Sequence, residues 1–284
     1  MLFILSLCAI SVCAQNKVQP PNKKPFILGE MHELYSKVLG EKRMLNIYLP
    51  AGYNPNDSVI YPVIYLLDGS ADEDFIHIVG LVQYNSFEWI NRVPKSIVVG
   101  IATVDRRGDF TFKTTIEADQ KRYPTAGHSD LFIEFLASEL QPYIDQHFKT
   151  SQSKTLIGQS LGGLLATEIL FKHPGLFNKY IIVSPSLWWD NGSLLEKSKE
   201  TGNAAFQQRM DIYIGVGKEG LTPTEIPRVM EVDANLLAEK IKHAKNTNLH
   251  VVFDYLPQED HATIMHQAVL NAFTQFHAMR NKHE

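Results

Sequence analysis

The sequence predicts an α/β fold: a mostly parallel central sheet with helices on both faces, entered through an N-terminal antiparallel hairpin. Three observations predict it. Short runs rich in Val, Ile and Leu recur along the chain, as in strands buried on both faces. Between them lie segments with apolar residues at helical spacing, and such strand–helix alternation builds a parallel sheet with right-handed crossovers. Before the alternation begins, Gly29 to Leu39 and Lys42 to Leu49 are two β-rich stretches joined by the turn-forming Gly40-Glu41.

Taken in order, the first 14 residues, MLFILSLCAISVCA, carry no charge and have the length of a signal-peptide apolar region, short for a membrane span. Cleavage after Ala14 would leave Gln15 at the N-terminus of a secreted or periplasmic protein; an uncleaved anchor is the alternative. Leu7 and Val12, which precede the two cysteines, do not suit lipid attachment. Residues 15–25 (QNKVQPPNKKP) are polar and proline-rich and read as an extended leader. From Phe26 to Glu284 no linker or repeat divides the chain, so one domain is expected. The strand runs are Pro62 to Leu67, Ser96 to Ala102, Lys154 to Ile157, Lys179 to Val183, Asp211 to Val216 and Leu249 to Tyr255. Ser129 to Phe148 places Leu131, Phe132, Phe135, Leu136, Leu140 and Ile144 at helical spacing, with Ser129 as the expected N-cap. Val229 to Lys245 and Ala262 to Met279 read the same way.

Composition narrows the function. The 284 residues carry 27 Lys and Arg against 31 Asp and Glu, a net charge of −4, which gives no field to hold a polyanion and argues against nucleic acid as a partner. Cys8 and Cys13, the two cysteines of the chain, lie in the segment expected to be removed, so no disulfide or thiolate chemistry is expected. The 11 histidines form no HExxH run or other metal-ligand spacing. No metal and no organic cofactor are expected.

The strongest local signal is Gly158-Gln159-Ser160-Leu161-Gly162-Gly163, between the strand Lys154 to Ile157 and an apolar helix from Leu164 to Phe171. Gly-x-Ser-x-Gly in a strand-to-helix turn is a nucleophile elbow: Gly158 and Gly162 allow the tight packing that a strained serine needs. The Leu161 N–H, at the positive end of the helix, is aimed where an oxyanion would form. A base should follow later in the chain. His261 ends the loop after the last strand, where reactive groups collect in open α/β sheets, and is preferred over His250 and His266. The acid should follow the preceding strand, which favours Glu219, with Glu225, Asp233 or a Ser–His dyad as rivals. Asp68-Gly69-Ser70 after Tyr61 to Leu67 is the candidate second oxyanion loop, with the Ser70 N–H first and Gly69 next; a plain turn is the alternative.

Two further loops face the same edge. Asp105 to Thr111 carries Arg106 and Arg107, suited to an anionic or hydroxyl-rich substrate or to pairing with Asp105 and Asp109. Ser184-Pro185-Ser186-Leu187-Trp188-Trp189 offers paired tryptophans for a ligand wall or for the core.

Together these segments resemble the α/β-hydrolase esterase family that contains enterochelin-type siderophore esterases, esterase D, feruloyl esterases and mycolyltransferases. The resemblance rests on YLPAGYNP, YPVIYLLDG, the RRGDFT loop, GQSLGG, SPSLWW, the GVGKE turn and the final Asp260-His261, with SPSLWW most like bacillibactin-type siderophore esterases. Gln159 stands where a histidine often precedes the serine, and Asp260 where many relatives have glycine. The resemblance implies an α/β-hydrolase fold and triad roles for Ser160, Glu219 and His261. The expected function is a secreted serine-dependent carboxylic ester hydrolase, acting on siderophore lactones. A carbohydrate acetyl or feruloyl esterase, or an acyltransferase, would use the same residues. A binding protein on a hydrolase scaffold is the non-enzyme alternative. The expected partner is a small-molecule or glycan-linked ester, without stable membrane insertion after processing.

Overall fold

A computed structural model describes residues 23–197, 206–222, 224, 226–244 and 246–281. The expected signal segment, most of the leader and Glu225 lie outside the described residues. The strands are β1 (Glu30–Ser36), β2 (Glu41–Tyr48), β3 (Tyr61–Leu67), β4 (Ile97–Ile101), β5 (Thr150–Gln159), β6 (Lys179–Val183), β7 (Met210–Gly217) and β8 (Leu249–Leu256). They form one sheet in the order β1-β2-β4-β3-β5-β6-β7-β8. The β1/β2 and β2/β4 pairs are antiparallel and every other pair is parallel, so the predicted hairpin enters a parallel sheet. Gly40, at φ +70°, closes the hairpin turn, whereas Glu41 already belongs to β2.

The helices are α1 (Phe75–Asn85), α2 (Arg106–Phe110), α3 (Glu117–Arg122), α4 (Ser129–Phe135), α5 (Gln141–His147), α6 (Leu161–Lys172), α7 (Ser193–Lys197), α8 (Met230–His243) and α9 (Ile264–Arg280). Strand alternation sorts the core into two layers. Val63, Tyr65 and Leu67 of β3, with Tyr180 and Ile182 of β6, face α4, α6 and α8. Ile64, Leu66, Ile181 and Val183 face α1 and α9. Among the described residues no helix is long and apolar enough to cross a membrane.

The helix expected from Ser129 to Phe148 is present over residues 129–147, with a π-turn at Leu136–Leu140 directly before α5. Three local details were not expected, the π-turn being the first. Pro142 lacks an N–H and crowds the carbonyl four residues earlier, which the wider turn relieves. Ser129 is not the N-cap: His128 holds that position, the Ser129 N–H goes to Thr111 O at 3.0 Å, and its Oγ is buried without a partner among the described residues. The expected loop at Asp105–Thr111 winds into α2, because Asp105 Oδ1 accepts the Gly108 N–H at 3.0 Å as a side-chain cap. A buried bidentate pair, Arg43 to Asp109 at 2.6 and 2.7 Å, ties α2 to β2.

Candidate active site

Parallel strands bring their C-terminal ends to one edge, and there the loops after β3 to β8 converge. Ser160 joins β5 to α6 at φ 59° and ψ −117°, a conformation that L-residues rarely hold. Its backbone is over-determined: the N–H donates to Val183 O at 3.0 Å, and its carbonyl accepts from Leu164 N–H at 2.9 Å and Ser186 N–H at 3.0 Å. Gly158 is required, since a Cβ there would lie 2.5 Å from Gly162 O. The second obligatory glycine is Gly163 and not Gly162. A Cβ at Gly162 meets nothing nearer than 3.4 Å, whereas one at Gly163 comes within 2.9 Å of Pro185 Cα. Leu161 is the first residue of α6, so its N–H has no carbonyl one turn earlier within that helix.

His261 follows β8 in a turn built by Asp260, whose Oδ1 accepts the Ala262 N–H at 2.8 Å and the Thr263 N–H at 3.1 Å. Gln159 Nε2 donates to His261 O, so the residue before the serine clamps the histidine loop. His261 Nε2 lies 3.1 Å from Ser160 Oγ and Nδ1 lies 2.6 Å from Glu219 Oε2. The tautomer that satisfies both contacts carries its proton on Nδ1 and accepts the serine hydroxyl at Nε2.

The Glu219 side chain is only 4% exposed, against 47% for His261. Its Oε1 accepts from Ser184 Oγ and from the Gly217 N–H at 3.3 Å. Burial pushes this carboxyl up, but hydrogen bonds from His261 and Ser184, the His261 charge and the Gly217 N–H outweigh burial and hold it below its ordinary value. The loop is fixed from behind by Glu231, whose Oε1 accepts the Glu219 and Gly220 N–H groups at 2.8 and 3.0 Å.

Sequence reasoning missed the supporting serines. Ser184 holds Glu219, and Ser186 Oγ lies 3.2 Å from Ser160 Oγ while its N–H braces the elbow. The available signal was the placement of Ser-Pro-Ser after β6, the strand next to β5. The rejected candidates lie elsewhere: His266 stacks near His77 at 5.8 Å between ring centroids, and Asp233 is paired with Arg228 through two 2.7 Å bonds. His250 lies in β8, opposite Asp211 near the start of β7.

Other expected roles change. The Gly69 N–H donates to Ile101 O at 3.0 Å and is not free for an oxyanion. The Ser70 N–H has only a 3.4 Å contact with Glu73 Oε2. Arg106 pairs with neither Asp105 nor Asp109 but bidentately with Asp68, at 2.8 and 3.0 Å, and reaches Gln159 O at 3.3 Å. It lines a cleft of about 420 Å³ with Ser160, His261, Asp68, Glu73 and Asp74. Arg107 lies over the Tyr123 ring, 4.3 Å from its centroid. Trp189 is a core residue, 1% exposed, with Nε1 donating to Phe112 O at 2.8 Å; Trp188 is half-buried beside it. Among the described residues no group of three His, Cys, Asp or Glu side chains is arranged to hold a metal ion.

Such a line of acceptor, imidazole and hydroxyl can withdraw a proton from the serine as it attacks a carbonyl. A family model described as "Putative esterase" matches residues 36–269. Ferri-bacillibactin esterase BesA of Bacillus subtilis is 26% identical over 248 residues, covering 83% of this chain and 78% of that protein. An IroE-like serine hydrolase from Shewanella oneidensis superposes with a TM-score of 0.77 at 28% identity, covering 87% of this chain and 79% of the other. The BES protein from Bacillus cereus superposes at 0.76 and 29% identity, covering 90% and 97%. Since the family match runs from the end of β1 into α9, the chain belongs to this esterase family of α/β-hydrolases and is an ester hydrolase.

Proposed function

We propose that the chain is a serine esterase in which Ser160, His261 and Glu219 form the catalytic triad. The observation that carries this reading is the continuous hydrogen-bonded line from Glu219 Oε2 through both nitrogens of His261 to Ser160 Oγ. Ser160 Oγ attacks the ester carbonyl carbon as its proton passes to His261 Nε2. Glu219 stabilises the imidazolium. The oxyanion is held by the Leu161 N–H, with the weakly engaged Ser70 N–H as second donor. Collapse expels the alcohol, which takes the proton from His261, and leaves Ser160 acylated. Water then attacks the acyl carbon as it gives a proton to His261, and collapse breaks the bond to Ser160 Oγ, which takes that proton back from His261 as the carboxylic acid leaves.

The substrate class proposed is a siderophore-type lactone ester, supported by the relative named a ferri-bacillibactin esterase and by the SPSLWW segment. Burial of Trp189 removes half of the aromatic wall that a polysaccharide ester would use. Secretion, with cleavage after Ala14, completes the reading; intact mass of the exported protein should begin at Gln15, and retention of Met1 would refute it. The central test is labelling with a fluorophosphonate. One adduct at Ser160, with loss of esterase activity in proportion, is the expected result; a folded protein that hydrolyses esters but labels nowhere would overturn the nucleophile.

A further inference from the structure

The end of the parallel sheet opposite Ser160 holds a second cavity, of about 430 Å³. It sits where β3, β5, β6 and β7 begin, against the last turns of α9, and it shares no lining residue with the cleft at Ser160. Its inner wall is apolar, formed by Ile64, Pro94, Phe273 and Phe276.

The polar residues around that wall are unbalanced. Arg92, Lys179, Arg209 and Arg280 line the cavity with one carboxylate, Asp211. Arg209 Nε takes Asp211 Oδ1 at 3.0 Å. Arg280 spends its Nη2 on Asn91 O at 3.1 Å and His277 Nδ1 at 3.0 Å, both neutral acceptors. Among the described residues no hydrogen-bond acceptor or carboxylate lies within bonding distance of the Lys179 ammonium. Burial lowers the Lys179 pKa, Asp211 opposes this, and the charges of Arg280 and Arg209 lower it further. A cation held in a half-dry pocket beside two others costs stability unless an anion joins it.

We infer that this cavity is a binding site for an amphipathic carboxylate, an aromatic or short aliphatic acid whose body lies on Phe273 and Phe276 and whose carboxylate pairs with Lys179 and Arg280. Lys179 and Arg92 line the apolar wall with no ion pair from either side chain among the described residues, which suits an anion with an apolar body. The volume is that of an ordinary small-ligand pocket. The inference does not depend on which residues act at the other end of the sheet.

The test is a calorimetric titration of the full chain with 2-naphthoate and, separately, with neutral 2-naphthamide. Naphthoate should bind saturably with Kd below about 1 mM, and naphthamide at least about tenfold more weakly, the worth of a charged hydrogen bond. Lys179→Met should weaken naphthoate by about 10- to 100-fold. Ser160→Ala should not change it. Absence of saturable binding, equal binding of the amide, or unchanged affinity in Lys179→Met would each overturn the assignment. Should Lys179→Met not fold, Arg280→Gln carries the same expectation, and the acid–amide comparison on the unaltered chain still decides.

Discussion

The two ends of the parallel strands carry cavities of nearly equal size, about 420 and 430 Å³, with opposite character. At the C-terminal end several charged groups are linked, although Asp68, Glu73 and Asp74 share the cleft with one arginine. Arg106 is locked on Asp68, Glu219 on His261, and the Glu219 loop on Glu231. At the N-terminal end four cations face one carboxylate across an apolar wall. The difference teaches that concavity does not identify a reactive site. At the Ser160 end the serine, histidine and glutamate are mutually oriented by hydrogen bonds, the arrangement on which the proposed mechanism rests, whereas the surplus of cations at the other end is the ground for the proposed anion site.

The largest expected effect separates the two ends outright. Ser160→Ala removes one hydroxyl, keeps the fold and should lower ester turnover by roughly 10⁴- to 10⁶-fold. Wild-type kcat in a folded variant would remove the nucleophile from the mechanism. Next comes the acid. Glu219→Gln keeps the shape but loses the charge opposite the imidazolium, and kcat should fall by roughly 10²- to 10⁴-fold with KM little changed. Asp233→Asn breaks the Arg228 pair and should lower the melting temperature while leaving kcat within about threefold. Equal activity of Glu219→Gln and the unaltered chain on p-nitrophenyl acetate, with His261→Ala inactive, would favour a dyad instead.

A third, smaller effect concerns the rim of the Ser160 cleft. Burial, followed by the charges of Asp68 and Glu73, raises the Asp74 carboxyl from 3.8 to about 6, with Arg106 opposing. The native state therefore holds this proton to higher pH than the unfolded chain. Stability from Asp74 is full below the unfolded value of 3.8 and is lost as pH rises through about 6. Asp74→Asn should accordingly raise stability at pH 8 by roughly 1–3 kcal/mol and change it little at pH 4. Urea melts at both pH values check the sign. The smallest effect is electrostatic: Glu73→Gln should raise kcat/KM for an anionic ester over a neutral one by about two- to fivefold at low salt, and the gain should vanish near 1 M salt. Persistence of the gain at high salt would mean that Glu73 acts by contact and not by charge.

Much of this was legible in the residues. Chain order alone placed Ser160 after β5, Glu219 after β7 and His261 after β8, because a parallel sheet puts successive loops on one edge and a nucleophile elbow announces itself in glycines. The oxyanion loop was read less well. Gly69 looks available in sequence, yet its N–H continues the hydrogen bonding of the sheet to Ile101. Trp189 looks like a ligand wall beside Trp188 and is instead core, since a backbone carbonyl 77 residues away satisfies its indole N–H. Pro142, a local signal, was masked by strong apolar periodicity on either side.

What the sequence by itself determined is the set of local constraints: where strands and helices alternate, that a glycine-rich turn surrounds Ser160, and which residue types can pass a proton. What only the tertiary structure decided is which polar groups find each other. Arg106 chose Asp68 over its near neighbours, Ser184 and Gln159 came to hold Glu219 and His261, and Lys179 was left unpaired. The reason is physical. Backbone propensity and apolar periodicity are local and repeat along the chain, while a hydrogen bond or ion pair depends on distances of a few ångströms between residues set together only when distant loops meet at one edge of the sheet.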